Sequence, residues 1–300
     1  MQLKKATRKQ VKLRMGLSAV SGGGKTYSAL KLAFGMVNDW SKIAVIDTEN
    51  GSASLYSHLG DFNTIDLQAP YTPERYIQAI KACEDAGMEL IIIDSITHEW
   101  DGKGGMIDIS NSMAGNSFTN WAKLTPRHQA FIDSILQSKC HIISCVRRKQ
   151  DYEMSKDSNG KTTVQKAGLK EITREGYEYE LTVNFNLEIN HMAIASKDRT
   201  GLFMGKPEFV ITEDTGRILL DWCNSGEAPL PEFFKTAEEK AQIDPVQSSI
   251  NILNSSKTQD ELKSNWTLIG REMQDNEKCV KAKDEMKVKL TPVGNGIPVS

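Results

Sequence analysis

The apolar and polar positions of this chain alternate in blocks that predict strands and helices in turn. Short apolar runs predict strands, whereas apolar residues three and four positions apart predict helices. Read this way, and with an additional strand at residues 62–67, the chain from residue 11 to residue 146 follows the order β-α-β-α-β-α-β. This order predicts an α/β fold with an open, mostly parallel sheet and helices on both of its sides. The predicted strands are residues 11–17, 43–46, 62–67, 90–94 and 140–146, and the predicted helices are residues 26–37, 73–86 and a helix that opens at Thr125-Pro126.

Three further segments complete the predicted domain. Residues 90–93 are continuously apolar, which is typical of a central parallel strand covered on both faces. Residues 179–187 and 191–196 predict an antiparallel hairpin added to the sheet. The polar residues 150–168 predict a long loop, and the glycine-rich residues 102–118 predict a second loop at the same sheet edge.

The composition of the chain changes near both of its ends. Residues 1–14 contain six basic and no acidic residues, which predicts a basic N-terminal arm. Residues 15–226 form the predicted α/β domain. Pro229 and Pro231 indicate a linker, and Thr258 with Glu261 forms a capping box before apolar residues at helical spacing. Residues 227–300 therefore predict a linker and a small helical appendage.

Charge and cysteine content limit the classes of function. The 37 basic and 39 acidic residues give a formal net charge of −2, so any contact with nucleic acid must be local. The five cysteines contain no C-x-x-C pair and indicate free thiols in a reducing compartment. The sequence has no apolar stretch of membrane-spanning length. We therefore expect a soluble, cytoplasmic protein without a membrane partner, in the host cytoplasm if a phage encodes it.

A glycine-rich motif between the first strand and the first helix predicts a phosphate-binding loop. In such a P-loop, glycines let consecutive N–H groups face the phosphates of a nucleotide. Lys25 is expected to reach the β and γ phosphates, and Thr26 is expected to hold Mg²⁺. Ala19 replaces the usual first glycine, at a position that lies at the strand end. The motif, which predicts ATP and Mg²⁺ as cofactors, contains Ser21, Gly22, Gly23, Gly24, Lys25 and Thr26.

Acidic residues beyond two strand ends are candidates for the rest of the site. Asp94 ends the apolar run at residues 90–93 and is expected to organise the metal ion. Residue 95 is serine, so the carboxylate that orients the attacking water must come from another position. Glu49, after the second strand, and Glu99, after Asp94, are the two candidates.

The strand-end sequence Asp47-Thr48-Glu49, together with Asp94-Ser95, resembles the RecA-like recombination ATPases. Within that group the chain is most similar to the single-domain Sak-type annealing ATPases of phage recombination modules. The resemblance covers residues 11–222 and includes Tyr27 after the P-loop, His98-Glu99-Trp100 and Glu178-Tyr179-Glu180. It implies a RecA-like P-loop core, a nucleotide-contacting position at Tyr27, and Glu49 as the catalytic base of a Mg²⁺-dependent ATPase.

The resemblance also implies residues that act between subunits. Lys197-Asp198-Arg199-Thr200-Gly201 is similar to the Lys-Asn-Arg-Phe-Gly motif of RadA-like ATPases. Lys197 and Arg199 point to the same side of a strand, so both can enter one phosphate site. As fingers acting on a neighbour's ATP they would require a homo-oligomer, either a ring or a filament.

Residues after the strand at 140–146 are implied to link nucleotide and DNA. RecA-like proteins sense the γ-phosphate there, which makes Gln150 a candidate nucleotide contact. Residues 147–175 have eight basic and five acidic residues, a net charge of +3. The resemblance therefore predicts a DNA-stimulated ATPase that binds single-stranded DNA in annealing or strand exchange. The appendage is a candidate contact for a single-strand-binding protein. The alternative is a nucleotide-gated module that recruits or loads replication proteins with little or no turnover.

Overall fold

A computed structural model describes residues 5–156, 162–227 and 245–290 of the chain. The chain divides into two compact units, residues 1–227 and residues 228–300. Both the basic arm and the P-loop belong to the first unit. Pro229 and Pro231, and the residues 157–161 inside the predicted loop, lie outside the described residues.

The first unit is built on one sheet of nine described strands. Eight of them follow the order β3-β2-β4-β5-β1-β7-β8-β9, and the ninth, β6, pairs with β5. All neighbours from β3 to β7 are parallel, whereas β8, β9 and β6 are joined by antiparallel pairing. The strands are β1 Arg14–Ala19, β2 Ile43–Asp47, β3 Asn63–Asp66, β4 Leu90–Asp94, β5 His141–Lys156, β6 Thr162–Glu171, β7 Val183–Leu187, β8 Met192–Asp198 and β9 Phe209–Val210.

Helices cover the sheet on both faces and create two cores. In β4, Leu90 and Ile92 belong to one core, and Ile91 and Ile93 belong to the other. The first core also contains residues of α1 and α7, and the second contains residues of α2 and α5. The helices are α1 Lys25–Val37, α2 Pro73–Asp85, α3 Thr97–Asp101, α4 Met106–Ser112, α5 Ser117–Gln137, α6 Tyr177–Glu180 and α7 Glu213–Asn224, with 3-10 helices at Trp40–Lys42 and Ser52–Leu59.

This architecture confirms the predicted α/β fold class, with a mostly parallel sheet that carries the P-loop and an added antiparallel hairpin. The apolar run at β4 is a central strand whose five residues are all buried. The predicted hairpin is β7 paired with β8, although its first residues form α6 instead of a strand. Gly176, with φ of 94°, caps that short helix in the left-handed region, where glycine carries no steric cost.

The polar segment that predicts a loop is instead a two-stranded ribbon. β5 continues past the sheet to Lys156 and pairs antiparallel with β6, from Arg148 opposite Glu171 to Lys156 opposite Thr162. The prediction of a loop at residues 150–168 is therefore wrong for the described residues. Polarity misleads here because strands are recognised from an apolar pattern, which the sequence of this segment lacks.

The predicted helix start at Thr125-Pro126 and the predicted loop at residues 102–118 are also wrong. The helix begins at Ser117, where the Asn116 side chain accepts a hydrogen bond of 2.8 Å from the Phe118 N–H, and it runs through Pro126. Thr-Pro is typical of a helix start, but a proline inside a long helix costs one backbone hydrogen bond that the remaining turns can outweigh. The preceding glycine-rich loop contains α4.

The N-terminal residues form part of the larger unit. The first strand starts at Arg14, and Lys9 bridges to Glu227 in parallel. The Arg8 guanidinium lies 4.4 Å from the centre of the Trp222 ring and donates a 2.7 Å hydrogen bond to the Trp222 carbonyl. Residues 8–11 are therefore held against the end of α7. A basic composition alone did not show this, because the contact needs a partner more than 200 residues away.

Four helices form the described part of the second unit: α8 Pro245–Asn254, α9 Gln259–Leu268, α10 Arg271–Gln274 and α11 Glu277–Lys289. Their core contains Leu253, Leu262, Cys279, Ala282 and Met286. The Thr258 hydroxyl caps α9 by accepting from the Glu261 N–H at 3.1 Å. Trp266 packs against this core, and the Lys283 ammonium lies 4.4 Å from its ring centre.

Two buried polar side chains anchor the start of the central strands. Arg14 donates to the carbonyls of Cys140 at 2.7 Å and Leu136 at 3.2 Å, which satisfies the C-terminal end of α5. The His141 Nδ1 accepts a 3.0 Å hydrogen bond from the Leu13 N–H. Burial, together with the positive charges of Lys12 and Arg14, lowers the pKa of His141 to about 3. His141 must therefore stay neutral to keep this contact.

We predict that His141 makes the fold acid-sensitive. Because its pKa is lower in the folded chain than in the unfolded chain, its contribution is complete above about pH 6.5 and is lost as the pH falls towards 3. A shift from about pH 6.5 to about pH 5 should cost about 2 kcal/mol in the free energy of unfolding. Urea unfolding of wild type and His141→Asn at the two pH values gives the free energy of unfolding of each protein. The cost is the amount by which the change in this free energy between the two pH values is larger in the wild type than in His141→Asn. Equal pH dependence in both proteins would contradict the prediction.

Candidate functional site

The P-loop connects the carboxyl end of β1 to the first turn of α1. Gly22 and Gly24 have φ of 79° and 83°, a left-handed conformation that side chains rarely adopt. The Gly23 N–H donates to the Val20 carbonyl at 3.2 Å and tightens the turn. Gly24 precedes the first residue of α1, so the free N–H groups of the helix face the loop. This is the geometry that binds a chain of phosphates.

Thr26 and Asp94 meet at the centre of the site. The Thr26 hydroxyl donates a 2.5 Å hydrogen bond to Oδ2 of Asp94, although the two residues lie on α1 and at the end of β4. Burial raises the pKa of Asp94 to about 6, against the opposing effects of Thr26 and of the nearby Lys25 charge. A hydroxyl and a carboxylate oxygen are ligands that Mg²⁺ prefers. Thr26 and Asp94 therefore fit the predicted metal position.

A second buried acid shapes the turn that carries Glu49. The Asp47 carboxylate accepts from the Glu49 N–H at 2.6 Å and from the Ala53 N–H at 2.7 Å. Asp47 lies opposite Asp94 in the parallel register of β2 and β4. The turn after β2 therefore starts beside Asp94, and it places the Glu49 side chain in the cavity next to the P-loop.

Glu49 is held in place by Arg147 and Ser95. The Arg147 Nε donates to Oε1 of Glu49 at 2.7 Å, and a second guanidinium nitrogen donates to Oε2. The Ser95 hydroxyl donates to Oε1 at 3.2 Å. Burial raises the pKa of Glu49, but the hydrogen bonds and charge of Arg147 outweigh it and keep the pKa below its ordinary value. Glu49 is therefore a carboxylate at neutral pH.

One cavity of about 590 Å³ connects these groups. Eight of the residues predicted from the sequence line it together: Ser21, Gly22, Gly24, Lys25, Thr26, Tyr27, Glu49 and Asp94. Sequence reasoning missed seven others: Ser28, Ser52, Tyr56, Arg147 as a direct neighbour of Glu49, His191, Val210 and Ile211.

Apart from Ser28, the missed residues come from parts of the chain that only the fold brings to the P-loop. His191 lies in the turn between β7 and β8, and its Nδ1 lies 2.8 Å from where a Cβ on Gly24 would stand. Val210 ends the short strand β9. No sequence motif marks these positions. Ser28 and Arg147 did carry a signal, since one follows the P-loop motif and the other follows a buried strand.

Glu99, the other candidate base, points into a different part of the protein. It is 1% exposed, and His128 Nδ1 lies 3.0 Å from its Oε1. Burial raises the pKa of Glu99, and the contact with His128 opposes this shift. Glu99 is not among the residues that line the P-loop cavity. The geometry therefore favours Glu49 over Glu99 as the base.

The structure does not bring Gln150 to the P-loop cavity. Its side-chain nitrogen donates to the Gly168 carbonyl at 2.6 Å and to the Asp151 carbonyl at 3.0 Å, within the ribbon. The prediction that Gln150 contacts the nucleotide is not supported by this placement. Gln150 is three residues further along β5 than Arg147, which takes the position beside the P-loop because it pairs with Ala19.

Lys197 and Arg199 also lie away from the P-loop of their own chain. The Lys197 ammonium donates to the Glu178 carbonyl at 2.6 Å, and the Arg199 guanidinium donates to the Tyr179 carbonyl at 2.6 Å. Both cations therefore lie at α6, side by side. Their action on a neighbour's nucleotide stays a prediction.

The described residues contain no cluster of three or more histidine, cysteine or acidic side chains that could hold a metal ion without a ligand's help. A Mg²⁺ ion at Thr26 and Asp94 would therefore be shared with the phosphates of a nucleotide, as is usual for this ion. Within the same described ranges, no helix is long and apolar enough to cross a membrane.

The parallel sheet, the P-loop and the strand-end acids define a P-loop ATPase. A family model described as an AAA domain, AAA_24, matches residues 11–210, and the chain belongs to this family. Among solved structures, the KaiC-like protein PH0186 from the hyperthermophilic archaeon Pyrococcus horikoshii OT3 is 14% identical, with a TM-score of 0.40 over 68% of this chain and 88% of that chain. A search of curated proteins found no match. The Sak-type assignment stays a prediction.

We predict that Glu49→Gln and Glu99→Gln separate catalysis from stability. Glu49→Gln should bind ATP within about twofold of wild type but lose at least about 100-fold in turnover, because the amide cannot accept a proton from water. Glu99→Gln should keep its turnover per folded molecule and lower the melting temperature, because it breaks a buried contact with His128. Steady-state phosphate release, ATP titration and thermal unfolding measure these effects. Full turnover by Glu49→Gln would overturn its role as base.

Proposed function

We propose that this chain hydrolyses ATP in a DNA recombination reaction of the phage type, and that it binds single-stranded DNA during annealing or strand exchange. The observation that supports this most is the path of β5. The strand passes the P-loop cavity at Arg147 and continues directly into the ribbon. A ligand on the ribbon and a nucleotide in the cavity would therefore contact one continuous strand.

A groove beside the base of the ribbon has the side chains that single strands require. It has a volume of about 540 Å³ and lies between the ribbon and the segment of α3 and α4. Trp100, which is half-buried, lines it together with the basic residues Lys149, Lys170 and Arg174. Aromatic side chains stack on bases of any sequence, and basic side chains contact the phosphates.

The charge of this groove is mixed. Asp101, Asp151, Glu171 and Glu175 line it as well, and Lys170 is paired with Glu175 at 2.5 Å. Few phosphates can therefore be neutralised, so stacking on Trp100 should contribute more to affinity than charge does. We accordingly expect a weak dependence of DNA binding on salt concentration.

The roles within the ATP site follow from the geometry of the cavity. Lys25 and the N–H groups of the P-loop would hold the phosphates, and Mg²⁺ at Thr26 and Asp94 would neutralise their charge. Glu49 would orient the attacking water, since it is an ionised carboxylate in the same cavity as Lys25 and, unlike Asp94, is not engaged by Thr26. The chain's contribution is then positioning and electrostatic stabilisation, as in other phosphoryl-transfer sites.

We further propose that the active form is a homo-oligomer, a ring or a filament. Lys197 and Arg199 lie together at α6, with Glu178 and Glu180 near Lys197, and both cations donate to backbone carbonyls. Their positive charge is therefore not neutralised by these contacts. A neighbour's nucleotide is a suitable partner for two such cations, and fingers of this kind contribute about 10³ to 10⁵ in rate.

One observation favours the second candidate, a nucleotide-gated recruiting module. Both oxygens of Glu49 are engaged by Arg147, which would keep turnover low as long as the pair persists. The helical second unit is then a candidate docking element for a single-strand-binding protein. Nucleotide-sensitive DNA binding without turnover would support this candidate.

We predict that single-stranded DNA stimulates ATP turnover by the full chain and that Trp100 transmits the effect. Lys25→Ala should show no turnover and serves as the blank. Trp100→Ala should keep the DNA-free turnover and lose most of the stimulation, whereas Trp100→Phe should keep much of it, because a phenyl ring still stacks on a base. Phosphate release with and without an oligothymidine measures these rates. Turnover that DNA leaves unchanged in the wild type would refute the proposed coupling.

We predict that Arg199→Ala and Lys25→Ala, each inactive alone, regain activity when they are mixed. The intact P-loop of one variant can then receive the intact finger of the other. A mixture of Glu49→Gln and Lys25→Ala is the matched control and should stay inactive, because both defects lie in the same ATP site. Turnover measured across mixing ratios tests this, and the absence of recovery at every ratio would contradict action between subunits.

A further inference from the structure

Arg147 lies where β5 changes from a sheet strand into a ribbon strand. Its pairing with Ala19 is the last contact of β5 with β1, and the next residue, Arg148, begins the pairing with β6. The Arg147 N–H donates to the Thr97 hydroxyl at 2.9 Å, and its carbonyl accepts from the Ile172 N–H at 2.8 Å. The backbone of Arg147 is therefore tied to α3 and to the residue that follows β6.

The side chain of Arg147 engages both oxygens of the proposed base. Two of its guanidinium nitrogens donate to the two oxygens of Glu49 in bidentate geometry, which gives the strongest contact between arginine and carboxylate. Ser95 occupies a further acceptor position on Oε1. A base must offer a free acceptor to the attacking water. In this arrangement Glu49 is ionised but poorly placed to accept a proton.

The pair is nevertheless accessible to solvent, which allows it to open. The side chains of Arg147 and Glu49 are 39% and 20% exposed, so water can solvate both partners once they separate. Because water can compensate for the lost hydrogen bonds, separating this pair costs less than separating a fully buried one. A ligand that displaces the base of the ribbon can therefore shift this equilibrium with a modest difference in affinity between the two states.

We propose that Arg147 is a positioning residue that holds Glu49 in an inactive arrangement, and that single-stranded DNA on the ribbon releases Glu49. The proposal rests on the proposed function, since it assumes that Glu49 is the base and that the ribbon binds DNA. It assigns to Arg147 an inhibitory role in the absence of DNA. A residue that only stabilised the transition state would have the opposite effect on DNA-free turnover.

The chain contains a matched control for this ion pair. Arg127 on α5 and Glu74 on α2 form the same bidentate ion pair, with hydrogen bonds of 2.7 and 2.9 Å. Their side chains are 35% and 48% exposed. Neither residue lines the P-loop cavity or the groove at the ribbon. Arg127→Ala removes the same interaction at a distant surface.

The first measurement is ATP turnover by the full-length chain with and without an oligothymidine. Arg147→Ala should raise DNA-free turnover by about fivefold and reduce the further stimulation by DNA by a similar factor. Arg147→Lys should give an intermediate result, because lysine keeps the charge but lacks the paired geometry. Arg127→Ala should behave as wild type in both conditions. DNA-free turnover by Arg147→Ala that is equal to or lower than that of the wild type would overturn the proposal.

The second measurement does not depend on turnover. Hydrogen exchange at the amides of residues 147–151 and 168–172 reports the opening of the ribbon base. Exchange there should accelerate in both Arg147→Ala and Glu49→Gln, each of which breaks the ion pair from a different side, and should not change in Arg127→Ala. Unchanged exchange in Arg147→Ala and Glu49→Gln would overturn the proposed role of Arg147 even if the wild type hydrolyses ATP. A wild type that shows no more turnover than Lys25→Ala, with or without DNA, would instead refute the proposed function.

Discussion

The candidate site depends on the parallel register of four neighbouring strands. In this register Asp47 lies opposite Asp94, Asp94 lies opposite Cys145, and Ala19 lies opposite Arg147. Parallel strands bring all of their carboxyl ends to one edge, so residues far apart in sequence end at the same level. The P-loop, Asp94, the turn of Glu49 and the start of the ribbon meet there for this reason. A slip by one residue in any strand would turn these side chains to the opposite face.

Burial divides the acids at this edge between different tasks. Asp47 uses its carboxylate to fix the backbone of the turn after β2, and Asp94 accepts the Thr26 hydroxyl. Glu49 keeps a low pKa because a guanidinium compensates for its burial, whereas burial raises the pKa of Asp94. Similar side chains thus obtain different protonation behaviour from their neighbours, as is common at functional sites.

The continuous strand β5 connects the chemistry to a surface outside the sheet. One half of the strand is buried between β1 and β4, and the other half pairs with β6 alone. A change of position at the ribbon can therefore reach Arg147 through the backbone, without a chain of separate side-chain contacts. This connection is a physical basis for linking DNA to hydrolysis, and it requires the two-state behaviour that we propose for the pair of Arg147 and Glu49.

The sequence by itself determined the alternation of strands and helices, the buried strand β4, the P-loop and the acids at strand ends. These features follow from local spacing and from the residue types that a phosphate site needs. The tertiary structure favoured Glu49 over Glu99 as the base, because α3 turns Glu99 towards His128 while Asp47 directs Glu49 to the cavity. The fold also places His191 and Val210 at the P-loop cavity and pairs the polar strands β5 and β6 in a ribbon. It holds the N-terminal residues 8–11 against the end of α7. Each of these outcomes depends on a partner distant in sequence, so no local pattern could reveal it.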